Sequence, residues 1–137
     1  MKILLIIALA LSTIAIANNF IQNKYDDVNL ILNAIKSVES AGAKKLYPHP
    51  DGKSFGYYGI TEIAMIELIR CNKIPKDTKI QVALYLSNED KQREFAFLYL
   101  KLMQERYKCN WLAAVGYYHG GTKKQREKYI QKIKRNI

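Results

Sequence analysis

The sequence predicts an all-α fold, with a single core wrapped by about six helices. Three observations lead there. Apolar residues recur at three- and four-residue steps through most of the chain, the period of a helix with one buried face. No stretch alternates apolar and polar residues for long enough to make a sustained strand. Asn, Thr, Gly and Pro fall between the periodic stretches, where helices must begin and end.

The chain of 137 residues opens with Met1-Lys2 and an apolar run from Ile3 to Leu11, then reaches Ala15-Ile16-Ala17, an A-x-A pattern suited to signal-peptidase cleavage. Residues 1–17 are therefore expected to be a signal peptide, with an uncleaved membrane anchor as the alternative. Counted to Ala17, the run falls short of the ~18–20 residues of a spanning helix, and Ser12 and Thr13 interrupt it. No cysteine follows it to carry a lipid, so no stable membrane anchor is expected after cleavage. Removal leaves 120 residues, 18–137, enough for one core. Neither a linker nor an internal repeat divides them, and one domain is expected.

Val28, Ile31, Leu32, Ile35 and Val38 describe one stripe of a helix from about Asp26 to Ser40, with Asp26 and Asp27 at its positive end. Ala41-Gly42 loosens it, and Tyr47-Pro48-His49-Pro50-Asp51-Gly52 is a turn-rich loop. A short hairpin is allowed within residues 43–58. Ile60, Ile63, Ala64, Ile66 and Leu68 mark a second helix over Ile60–Ile69, which stops before Cys71-Asn72-Lys73-Ile74-Pro75. A short helix over Lys76–Leu86 follows. Ser87, with Asp90 three residues on, reads as a capping box opening a long helix that carries Phe95, Leu98, Tyr99, Leu102 and Met103. Trp111–Tyr118 is another helix, stopped by Gly120-Gly121, and Thr122 caps a last, basic helix to about Arg135.

Formal net charge is +10, and loss of Lys2 with the signal leaves +9. That favours a polyanionic partner: a cell wall, an anionic membrane or a nucleic acid. Export lowers the last, and no nucleic-acid motif is present, so no nucleic acid is expected. Cys71 and Cys109 are an even pair in a chain sent to an oxidising compartment, which allows one disulfide or two buried thiols. Neither forms a C-x-x-C pair, and His49 and His119 have no partner at zinc-ligand spacing, so no metal is expected.

Three segments carry the chemistry: Val38-Glu39-Ser40-Ala41-Gly42, Gly56-Tyr57-Tyr58-Gly59-Ile60-Thr61-Glu62, and Ala114-Val115-Gly116-Tyr117-Tyr118-His119-Gly120-Gly121. In this order they resemble the soluble lytic transglycosylases and goose-type lysozymes. That family's pattern is Glu-Ser near a helix end, Gly-x-x-Gly-Leu-Met-Gln, and Ala-x-x-x-Tyr-Asn-Ala-Gly. The resemblance covers residues 28 to about 135. It implies a lysozyme-like helical domain, with Glu39 as catalytic acid and Ser40 beside it lining the substrate cleft. Gly59 matches the glycine that opens the second motif's helix and lets the glycan pass close to backbone, and Ile60 takes the leucine place. Thr61 replaces methionine, and Glu62 replaces the glutamine that helps shape the cleft. Tyr118 matches the tyrosine whose hydroxyl reaches the catalytic carboxyl; His119 and Gly120 replace Asn and Ala, and Gly121 matches again.

Cleaving a glycosidic bond requires a proton on the leaving oxygen as oxocarbenium character develops. A carboxyl partly buried against aromatic surface is suited to hold one. No second carboxylate stands out: Asp26 and Asp27 precede Glu39 by more than three turns, and Asp51 and Glu62 are the nearest in the motifs. The resemblance implies that one glutamate suffices where the substrate's own C6 hydroxyl attacks, giving a 1,6-anhydromuramic acid end without metal or organic cofactor. The expectation is an exported, periplasmic or extracellular enzyme acting on peptidoglycan glycan strands. Hydrolysis by water and non-catalytic cationic wall binding are the alternatives.

Overall fold

A computed structural model of the chain describes residues 12–19, 23–41 and 48–137. Of the expected signal segment, residues 1–11 lie outside the described residues, as do residues 42–47 of the loop. Residues 12–19 are helical and exposed, and are called α1; residues 23–26 are also helical. Among the described residues no helix is long and apolar enough to cross a membrane.

The fold is all-α with one small hairpin. Helix α2 spans Val28–Ser40. It starts two residues later than the charge pattern suggested, because Asp27 is its cap: the carboxylate accepts from the Asn29 and Leu30 amides, at 2.8 and 3.3 Å. Ile31, Leu32, Ala34 and Ile35 form its buried stripe. It ends at Ala41 in a left-handed conformation, φ 46°.

Strands β1 (Ser54–Phe55) and β2 (Ile60–Thr61) pair antiparallel, Ser54 opposite Thr61 and Phe55 opposite Ile60, around the loop Gly56–Gly59. The hairpin thus reaches beyond residue 58, and β2 takes the place where a helix was expected to begin. Thr61 explains the shift. Its extended backbone ends β2 while its hydroxyl accepts from the Ala64 amide at 3.1 Å, capping α3 (Glu62–Arg70).

Helix α4 (Ile80–Leu86) starts later than Lys76, because Pro75 and Thr78 close a turn ahead of it. Helix α5 (Glu89–Tyr107) is capped by Asn88, whose side chain accepts from the Lys91 amide at 2.8 Å. The Ser87–Asp90 box is therefore corrected: Ser87 ends α4. Helix α6 (Trp111–His119) is capped by Asn110 and stopped at Gly120. Helix α7 (Lys123–Lys134) opens with a complete capping box between Thr122 and Gln125.

Helix α5 runs through the core, packing on α6, α3, α2 and β2, while α7 packs on both α6 and α2. Ile31, Ile35, Met65, Leu68, Leu100, Val115 and Ile133 are fully buried there. Each such side chain contributes roughly 1.5–3 kcal/mol on leaving water. This packing sets the end of α2 against the hairpin loop and α6 and α7. The disulfide that the sequence allowed is not formed: Cys71 and Cys109 are free thiols. Cys71 Sγ accepts from Arg106 at 3.8 Å, and burial pushes the Cys109 thiol up.

Candidate active site

Glu39 stands in the last turn of α2, half-buried, and faces a cleft with a volume of about 270 Å³. Its two carboxyl oxygens have different surroundings. Oε1 accepts from the Tyr129 hydroxyl at 2.6 Å. Oε2 lies over Gly59, where a Cβ would stand only 2.5 Å from it. Gly59 also has φ 61°, so the position favours glycine twice: for its backbone and for the space that the carboxyl fills.

The loop that brings Gly59 to Glu39 is held from several sides. Gln92, buried on α5, accepts from the Tyr57 amide at 2.8 Å and donates to the Ser87 carbonyl at 3.2 Å. His49 Nε2 donates to the Gly56 carbonyl at 2.6 Å. Arg93 donates to the Tyr58 hydroxyl at 3.1 Å and to Asn33 of α2 at 2.9 Å. Finally, the Tyr118 hydroxyl donates to the Tyr58 carbonyl at 2.7 Å. That last bond corrects the role expected for Tyr118: Tyr129, not Tyr118, hydrogen-bonds to the Glu39 carboxyl.

Both phenols are held well above their ordinary range, first by burial and then by the Glu39 charge, so both remain neutral donors. Tyr99 lines the cleft with Tyr118, ring centroids 5.6 Å apart, giving it an aromatic wall suited to a sugar face. His119 lines it too, its ring stacked on Tyr129 at 4.2 Å. Lys53, Ser54 and Asp51 supply the polar side. Hydrogen bonds from the Lys53 and Ser54 amides, then from the Ser54 hydroxyl, hold the Asp51 carboxyl down at about 2. Asp51 is thus a permanent anion in the cleft that holds Glu39.

Of the residues singled out in the sequence, Glu39, Gly59, Ile60, Tyr118 and His119 meet at this cleft. Ser40 and Glu62 are not among its lining residues. Ser40 is buried, and its hydroxyl donates to the Lys36 carbonyl at 2.7 Å. Glu62 occupies the positive end of α3, pairs with Gln81 of α4 and lines a different hollow with Phe55 and Ile63. Tyr129, Asp51 and Tyr99 were not singled out as site residues. Among the described residues no cluster of three His, Cys, Asp or Glu side chains is placed to hold a metal ion. Comparison with family models, curated proteins and solved structures found no match to this chain.

Proposed function

We propose that this protein is an exported peptidoglycan lytic transglycosylase, cutting the β-1,4 bond between N-acetylmuramic acid and N-acetylglucosamine with Glu39. One observation carries the reading: a glutamate carboxyl at the end of a helix, one oxygen held by a buried phenol and the other over a glycine, in an aromatic-walled cleft. The ordered motifs supply the substrate class.

In this mechanism Glu39 donates its proton from Oε2 to the glycosidic oxygen as the bond from the muramyl anomeric carbon breaks. The resulting carboxylate then takes the proton from the C6 hydroxyl of the same sugar as that oxygen bonds to the anomeric carbon. A 1,6-anhydro ring forms, and Glu39 ends protonated again. Tyr129 keeps donating to Oε1 in both states, so the carboxyl holds its aim while its charge changes. The fixed negative charge of Asp51 favours the cationic character that develops between the two steps.

Sacculi incubated with the purified protein should release muropeptides with anhydro ends. Glu39→Gln should lower the rate by about 10²- to 10⁴-fold, the range of general acid–base help. Equal release by both proteins would remove Glu39 from the mechanism. Asp51 also favours a second reading, hydrolysis, because paired carboxylates flanking one cleft are the usual hydrolytic arrangement. Mass spectrometry decides: hydrolytic products are heavier by one water, and reducing ends alone would select the lysozyme reaction.

A further inference from the structure

A second hollow, of about 160 Å³, adjoins the cleft and is lined by His119, Gln125, Lys128, Tyr129 and Lys132. It shares His119 with the cleft, and the His119 ring is stacked on Tyr129, whose hydroxyl donates to Glu39. Lys128 and Lys132 are one turn apart on α7 and exposed. Neither forms an ion pair among the described residues, and Glu127, the acidic residue of α7, faces Lys123 instead, 3.9 Å away.

This arrangement works against the helix that carries it. Lys124, Lys128 and Lys132 follow one another at four-residue steps, where like charges oppose helix formation. Lys132, in the last turn, gains from the helix dipole, whereas Lys128, in mid-helix, gains little. Two unpaired ammonium groups on one concave surface form a receptor for anionic oxygens. Its place beside a glycan cleft limits what can bring such oxygens there. The group must hang from the sugar chain while the chain lies in the cleft.

We propose that this hollow is a subsite for a carboxylate on a substituent of the glycan, with Lys128 and Lys132 as its binding residues. The inference rests on the glycan-cleaving reading above. In peptidoglycan the substituents of that chemistry are the stem peptides on the muramyl sugars. The subsite makes the enzyme selective for peptide-bearing strands over bare ones, and the selectivity weakens as salt screens exposed charges.

The test compares strands carrying stem peptides with strands stripped by an amidase, using wild-type protein, the Lys128→Gln/Lys132→Gln protein and the Lys128→Arg/Lys132→Arg protein. The ratio of kcat/KM on the two substrates is read within each protein, so altered folding or expression cancels. Wild type should favour peptide-bearing strands by about fivefold at low salt, the scale of exposed charge pairs. The Gln protein should lose the preference and the Arg protein keep it. Equal rates on both substrates in wild type, or an undiminished preference in the Gln protein, would overturn the inference while leaving the glycan reading intact. A preference that follows phosphate polymers of the wall rather than stem peptides would also overturn it. Wild type cutting neither strand would remove both readings together.

Discussion

Two tyrosine hydroxyls lie close to the Glu39 charge, and their bonds assign them different work. Tyr129 donates to the carboxyl itself, whereas Tyr118 donates to the backbone of the loop that faces it. Tyr129→Phe should therefore lower kcat by roughly tenfold or more, the scale of a hydrogen bond to a charged group. Tyr118→Phe should cost about 1 kcal/mol of stability, with a smaller fall in kcat. Rates and thermal melts on both variants separate the roles, and the reverse pattern would return the carboxyl contact to Tyr118. Gly59→Ala tests the same carboxyl from its other side. The new Cβ must displace Oε2, and φ 61° adds strain of about 1–2 kcal/mol, so activity should fall further than the change in Tm explains. An alanine variant with wild-type kcat would show that the carboxyl need not sit over this glycine. Glu39, Gly59 and Tyr118 were legible as residues of the site because they stand in compact motifs. Tyr129 was not. It lies 90 residues from Glu39 within a helix whose visible property is positive charge. The available signal was Tyr129 with Ile133 one turn on, a buried stripe on that basic helix.

At the scale of elements, the main misreadings came from residues with two plausible jobs. Thr61 and Ser87 each stand at a boundary, and side-chain competition for backbone amides decides which side they belong to. Asn88 takes the cap of α5, which leaves Ser87 to end α4. Thr61 takes the cap of α3, which leaves Ile60 free to pair with Phe55. The helices themselves were legible, α2 and α5 from apolar spacing and α6 and α7 from the glycine stop and the Thr122 cap between them, and all four fall near the expected places. The two-residue strands were not, because so short a pair has no period to detect. Thr61 thus has a local structural task at the start of α3. Thr61→Met should lose the cap bond to the Ala64 amide and cost about 0.5–2 kcal/mol. Chemical denaturation measures this directly. Unchanged stability would mean that the hairpin and α4 hold the start of α3 without the cap.

Across the whole molecule, carboxylates held by hydrogen bonds in the folded chain give stability a definite pH signature. Glu67 on α3 accepts from Arg70 at 2.9 Å and from Arg106 of α5 at 2.6 Å. Those bonds, Arg70 first, hold its carboxyl at about 2. Asp51 is held equally low by the Lys53 and Ser54 amides of the hairpin approach. In the unfolded chain both groups return to about 4, so the folded form binds fewer protons in the interval between. Their stabilisation is complete above roughly pH 5 and is lost as pH falls towards 2. Protonation of the remaining carboxylates acts in the same direction, because a chain already at +10 gains positive charge and repels itself further. The melting temperature should therefore drop steeply between about pH 5 and pH 2. Replacing Glu67 by Gln and Asp51 by Asn should lower it at neutral pH and flatten the acid slope. Parallel Tm profiles for the double variant and wild type would mean that neither carboxylate is coupled to folding, and that general charge repulsion alone sets the acid limit.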